Sequence, residues 1–279
     1  MSRPTLRILA MGASISLLAG CGEESSLPKG ADVGSNPTIA KPTETMIPTV
    51  NVAPAKGWEG GQTPTAADGL KVNAFARGLN HPRSILVLPN GDVLVAESNA
   101  PPKEQSQGIR GFVMKMVMDR AGAGVPSPNK VILLRDKDGD GTAEVRIDYI
   151  EGLKSPFGLA LIGDRLYVAN ADSVVAFPYQ AGADRIDSSP EKIVDLPGGP
   201  LNHHWTKSLI ASEDGKYLCV GVGSNSNVAE NGMDMEKDRA AVLQVDIAAK
   251  SYRPFATGLR NPVGLAWEPD TKTLWTVVN

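Results

Sequence analysis

The sequence predicts an all-β fold, a β-propeller, on three observations. Gly 29 and Pro 21 among 279 residues make the chain turn-rich. Four strand-turn-strand phrases recur at blade-sized intervals. Sustained helical periodicity is missing, so helix is expected only in short turns. The first phrase runs from Gly78 to Glu97, two apolar-rich strands flanking Asn90-Gly91, a tight-turn pair. The second leads from Gly152 through Ala160 and the turn Gly163-Asp164 into Arg165–Ala169. The third runs from His204 to Ile210 and through Glu213-Asp214-Gly215 into Lys216–Val220. The fourth runs from Gly258 to Trp267 and through Pro269-Asp270 into Thr273–Val277. Anchored on Leu86, Ala160, Ile210 and Ala266, these phrases lie 74, 50 and 56 residues apart. A period on the order of 45 residues is that of a four-stranded blade, with an insertion in the first interval. A plain β-sandwich would not repeat a whole phrase at that period.

Ahead of this body the chain reads differently. Arg3 and Arg7 precede an apolar run from Ile8 to Leu18, about half the length that spans a bilayer. Leu18-Ala19-Gly20-Cys21 follows, a small-residue cleavage site ending in cysteine. Residues 1–20 are therefore expected to be a signal peptide. The tetrapeptide matches the bacterial lipobox, which implies lipidation of Cys21, attachment to the membrane by lipid alone, and a location on the periplasmic side. Gly22 in place of Asp resembles outer-membrane sorting. Residues 21–69 are rich in Pro, Ser, Thr, Gly, Lys and Glu and are expected to be a flexible tether, because they carry too little apolar surface to offset ordering. Residues 70–279 form the propeller domain, room for about four blades. The last phrase stops after its second strand, so the ring is expected to be incomplete at the C-terminus and weakly active or inactive in that state.

Composition removes several function classes. With 28 Lys+Arg against 31 Asp+Glu and a net charge of −3, the chain is no nucleic-acid binder. No phosphate-binding Gly-rich loop and no Gly-x-Ser-x-Gly elbow occurs, which argues against a nucleotide cofactor and a serine hydrolase. Cys21 and Cys219 are the two cysteines, so no disulfide framework exists. Cys219 reads as a buried, inert thiol within an apolar strand. Met114, Met116 and Met118 alternate and read as the packing face of a strand.

Two patterns carry chemistry. His203-His204 is an adjacent pair among three histidines, placed just before a strand. Imidazole titrates near neutral pH and can take a hydroxyl proton. Asp136, Asp138 and Asp140 alternate in Asp-Lys-Asp-Gly-Asp-Gly, hard oxygen ligands on a loop that glycine lets turn tightly. Glu144 falls at the ninth position of an EF-hand count, but the twelfth is Ile147 where a Glu is needed. The loop reads as a structural calcium site or as a plain acidic turn.

Pro82-Arg83-Ser84 with Pro89–Glu97, Ser155-Pro156-Phe157-Gly158, Gly223-Ser224-Asn225-Ser226-Asn227 and Gly258-Leu259-Arg260-Asn261-Pro262 together resemble the glucose/sorbosone dehydrogenase family. These are six-bladed propellers that use pyrroloquinoline quinone (PQQ), and the likeness extends to the membrane-associated L-sorbosone dehydrogenase branch. The resemblance covers residues 70–279. It implies PQQ-dependent oxidation of a sugar or related alcohol or aldehyde, with electrons passed to a membrane acceptor. It makes His204 the general base, with His203 beside it, and Arg260 and Asn261 ligands of the quinone oxygens. One departure stands out: the soluble glucose-oxidising relatives place an acid beside the base, where this chain has Ser224 or Asn225. Glu230, a loop carboxylate shortly downstream, is a candidate for orienting His204, the other reading being a pair with Lys237 or Arg239. The other readings are a calcium-dependent propeller lactonase, which needs a carboxylate and Asn metal site in the channel, and a non-catalytic binding propeller.

Overall fold

The computed structural model describes residues 27–38, 52–58, 60–102, 108–123 and 125–279; Cys21 and the leader lie outside the described residues. Pro54–Asn279 form one compact unit. In the preceding unit, residues 27–38 hold turn hydrogen bonds such as Ala31 N–H to Pro28 O at 3.0 Å. No helix among the described residues is long and apolar enough to cross a membrane.

The body is all-β, built of four antiparallel sheets laid down in chain order. The first holds β1 (Pro82–Val87), β2 (Val93–Glu97), β3 (Lys130–Arg135) and β4 (Val145–Ile150). The second holds β5 (Leu159–Ile162), β6 (Arg165–Ala169), β7 (Ser173–Pro178) and β8 (Glu191–Asp195). The third holds β9 (Leu209–Ala211), β10 (Tyr217–Val222), β11 (Ala241–Asp246) and β12 (Ser251–Ala256). β13 (Pro262–Trp267) and β14 (Leu274–Val278) pair as a hairpin. Each strand pairs with its sequence neighbour, because a short turn closes an antiparallel ladder at least entropic cost. At the first turn Gly91 takes φ 88°, a left-handed conformation that costs glycine nothing.

Alternation decides what each sheet buries. On β2 and β3, Leu94, Ala96, Val131 and Leu133 face the second sheet and pack with Leu159, Leu166, Val168 and Phe177. Val95, Ile132 and Leu134 point the other way, onto Phe75, Ala76 and Leu79. The second sheet is covered on both faces: Tyr167, Ala169, Val174 and Ala176 pack on Leu218, Val220, Leu243 and Val245 of the third. Hence Leu-Tyr-Val-Ala and Val-Val-Ala-Phe read as nearly continuous apolar runs, as doubly buried strands must. The last hairpin is tied to the third sheet by Trp267 Nε1, which donates to Ala211 O at 2.7 Å.

The first strands of consecutive sheets lie side by side, β1 by β5, β5 by β9 and β9 by β13. A Cβ on Gly158 would collide with Leu209, so the β5 approach to β9 requires glycine. This is a propeller-like arrangement, and it sorts the loops. The β2–β3, β4–β5, β6–β7, β8–β9, β10–β11 and β12–β13 connections gather at one rim, and the remaining turns at the other.

The Met114–Met118 segment departs from the strand expectation. It lies in α1 (Gly108–Arg120), the one α-helix among the described residues. The ladder explains why: Glu97 of β2 pairs directly with Lys130 of β3, which leaves the intervening residues no strand partner. Methionine, lysine and arginine are good helix formers, and Lys115 meets Asp119 one turn later at 2.6 Å. Met116 and Met118 are exposed rather than packed. Cys219 is buried in β10 as expected, its thiol pushed up to about 11 by burial.

Candidate functional site

Three loops of one rim converge. His203 and His204 precede β9; Gly223–Asn227 follow β10; Arg260 and Asn261 precede β13. Backbone hydrogen bonds stitch them together: His203 N–H donates to Asn225 O at 3.3 Å, Ser224 N–H to Arg260 O at 2.8 Å, and Asn279 N–H to Asn261 O at 3.1 Å. Gly223 sits at the crossing. A Cβ there would collide with the Asn261 side-chain oxygen and with the His204 Cβ, so glycine is what lets the two side chains approach.

His204 is half-buried, and its Nδ1 lies 2.9 Å from both the carbonyl oxygen and the hydroxyl oxygen of Ser224. Its pKa is below the ordinary histidine value, chiefly because burial disfavours the charged ring. The Ser224 carbonyl opposes this; Arg260 and His203 add to the lowering, and Glu236 opposes it. The ring is thus held neutral at neutral pH. His203 is exposed beside it.

Asn261 is buried, and its Oδ1 has no hydrogen-bond partner; the buried Asn225 Nδ2 is likewise unpartnered. Such atoms are costly unless something else meets them. Arg260 is exposed and donates from Nη2 to Asn227 Oδ1 at 2.8 Å and from Nη1 to Asn279 O at 3.0 Å. The rim therefore offers the Arg260 guanidinium and the Asn225 amide N–H as donors, the Asn261 side-chain oxygen as an acceptor, and the His204 imidazole. That set suits a planar, anionic, carbonyl-bearing cofactor such as PQQ, so the residues present fit the group the sequence implied.

Glu230 does not take the place expected of it. Its carboxylate accepts Val228 N–H at 2.8 Å and Asn227 N–H at 3.2 Å, and the Val228 contact leads in holding it down to about 2. The Ser224 oxygens stand at His204 Nδ1 instead. Glu236, which the sequence reading passed over, grips the neighbouring backbone. Its Oε2 accepts Asn225 N–H at 2.6 Å, and its Oε1 accepts the Ser226 hydroxyl at 2.6 Å and Ser226 N–H at 3.1 Å. The 3-10 turn Met233–Glu236 brings that carboxylate back, a long-range consequence of loop geometry.

Three further residues at this rim were missed. Arg83 stacks over the Trp205 ring at 5.5 Å and donates to Ser98 O and Asn99 Oδ1, while Phe157 meets Trp205 edge-on at 6.5 Å. Lys207 is fully buried and donates from Nζ to Trp205 O at 3.0 Å. Arg239 is buried and donates to Asn202 Oδ1 at 3.0 Å, bracing the start of the histidine loop. The available signal was an arginine at the start of an inner strand; Lys207 lies between Thr206 and Ser208, and Arg239 ends the charged run Glu236-Lys237-Asp238-Arg239, so neither stands out locally.

Asp136, Asp138, Asp140 and Glu144 lie between β3 and β4, at the opposite rim, with one carboxylate oxygen of each within 4.8 Å of the others. Asp136 accepts Gly141 N–H at 2.8 Å and Gly139 N–H at 2.7 Å, and the Gly141 contact leads in lowering its pKa. The loop is thus separate from the histidine site.

A family model described as TrAA12-like matches residues 64–279. Over 226 residues the chain is 22% identical to a pyrroloquinoline quinone-dependent sugar dehydrogenase of Hypocrea jecorina (strain QM6a), covering 77% of this chain and 47% of that protein. Two solved structures are similar in fold. The holo pyranose dehydrogenase PQQ domain of Coprinopsis cinerea gives a TM-score of 0.57 at 19% identity, covering 77% and 47% of the two chains. The calcium structure of the Trichoderma reesei family AA12 enzyme gives 0.59 at 22% identity, covering 77% and 50%. The chain thus spans about half the length of these relatives.

Proposed function

Since the chain belongs to the TrAA12-like family, we propose that it works in PQQ-dependent oxidation of a sugar or related alcohol or aldehyde, with an L-sorbosone-like aldose as the expected substrate class. The observation that carries this reading is the meeting of His204 and Asn261 across Gly223, with Asn261 Oδ1 and Asn225 Nδ2 left unpartnered at the same rim. In this reading the sheets belong to a six-bladed propeller whose site rim is the one described. The lactonase alternative needs a carboxylate cluster in the channel; the acidic cluster found among the described residues lies at the other rim.

Bound PQQ would supply the two-electron acceptor for hydride from the substrate carbon. His204 Nε2 takes the proton of the substrate hydroxyl, a role its neutral ring suits. Arg260 and the Asn261 amide N–H would hold the cofactor's carbonyl oxygens, where a fixed cation and an amide donor favour negative charge. The Arg83–Trp205–Phe157 stack walls the rim and excludes water from one side of the histidine loop.

Thermal melting with PQQ and calcium added separately tests both cofactors. PQQ is expected to raise the Tm, change in absorbance and support dye reduction with aldoses; calcium is expected to raise the Tm through the Asp136 loop, an effect lost in Asp136→Asn/Asp138→Asn. No response to PQQ on any of the three readouts would sink the dehydrogenase reading, and an equal calcium shift in the double variant would sink the metal loop.

The Leu18-Ala19-Gly20-Cys21 sequence supports a lipid anchor on the periplasmic side, near a membrane electron acceptor. The mass of the mature N-terminal peptide decides this: a diacylated Cys21 is expected, and an unmodified one would refute it.

A further inference from the structure

The hydroxyl of Ser224 has a single proton, and the structure shows where it goes: Oγ donates to Ser226 O at 2.6 Å. Ser224 Oγ can then only accept from His204 Nδ1, at 2.9 Å. The Ser224 carbonyl, also at 2.9 Å, can only accept as well. Two acceptors facing one ring nitrogen require that nitrogen to carry hydrogen. Nδ1 is therefore the N–H of the neutral ring, and Nε2 carries the lone pair.

This arrangement depends on the Ser224 carbonyl standing where it does, and that carbonyl belongs to the Ser224–Asn225 peptide, whose N–H Glu236 holds. Glu236 fixes it, since both carboxylate oxygens are spent on the Asn225 and Ser226 backbone N–H groups and on the Ser226 hydroxyl. A carboxylate accepting three hydrogen bonds from two adjacent residues allows that peptide little freedom. The charged and titratable groups acting on the ring are Arg260, His203 and Glu236 itself.

We propose that Glu236 is a positioning residue: by holding the N–H of the Ser224–Asn225 peptide it keeps the Ser224 carbonyl at His204 Nδ1, places the ring proton there and leaves Nε2 as the basic nitrogen. The acid expected beside the base is replaced here by a backbone carbonyl whose peptide a carboxylate anchors. The functional meaning rests on the dehydrogenase reading, but the proton placement does not.

Nitrogen NMR of histidine-labelled protein without cofactor reads the tautomer directly. The chain has three histidines, His81, His203 and His204, and His204→Gln assigns the last. His204 is expected to be the Nδ1–H form in the wild type and in Ser224→Ala, which keeps the accepting carbonyl, and to shift toward Nε2–H in Glu236→Gln, which loosens the peptide that carries it. With PQQ bound, Glu236→Gln is expected to lower kcat on the order of tenfold to a hundredfold with KM unchanged, as misorientation of a base does. An Nε2–H ring in the wild type, or a tautomer unchanged in Glu236→Gln, overturns the proposal. The expected tautomers in a protein that binds no PQQ uphold it and overturn the dehydrogenase reading instead.

Discussion

His204→Ala is expected to lower turnover about 10²–10⁴-fold while PQQ affinity stays within a few-fold of wild type. In the proposed mechanism the imidazole meets the substrate through Nε2 while Arg260 and Asn261 retain the cofactor, so removing the ring would separate chemistry from binding. The pH profile follows from the ring's surroundings. A base works above its pKa, and burial has moved that of His204 below the ordinary histidine value. The wild-type plateau is therefore expected to extend below the usual histidine range before kcat falls, and that limb should vanish in the variant's residual rate. Steady-state kinetics against pH, with a parallel PQQ titration, measures both; full turnover in His204→Ala refutes the base assignment.

The second large effect concerns stability. Lys207 is 0% exposed, and its Nζ donates to Trp205 O. Its pKa is pushed down to about 7, by burial first and by the Arg239 guanidinium second, with Asp172 opposing. An unfolded lysine titrates near 10.5. Between these values the unfolded chain binds more protons than the folded one, so stability must rise with pH across about 7 to 10.5; below 7 the buried ammonium exerts its full cost. The rise is expected to be on the order of 5 kcal/mol. Lys207→Met fills the same space without a titrating group and should flatten this part of the curve. Chemical denaturation at pH 6, 8 and 10 would show it; an unchanged slope in the variant would place the titrating group elsewhere.

That lysine also shows the limit of reading a sequence. In Trp205-Thr206-Lys207-Ser208-Leu209, a cation before a strand looks like a solvated side chain, and nothing local says that Gly158 of the second sheet presses onto its backbone. The strands themselves were legible, because alternation and Gly turns are properties of a few adjacent residues. The alternating methionines misled for the same reason. Alternation is necessary for a strand but not sufficient, and the direct Glu97–Lys130 pairing left them outside the ladder.

Of the site, the sequence marked His204, Arg260 and Asn261, and it marked the missing acid beside the base. It pointed to Glu230 and passed over Glu236, six residues further on, because only the 3-10 turn after Gly232 decides which carboxylate folds back onto Asn225 and Ser226. By itself, then, the sequence determined the β-repeat, the turn positions, the acidic loop and the residue types able to do proton chemistry, since each is encoded within one or two strands. The tertiary structure decided the tautomer of His204, the burial of Lys207 and the separation of the acidic loop from the histidine rim. Those depend on which loops of different sheets meet, and that contact is set by sheet packing rather than by any local stretch of chain.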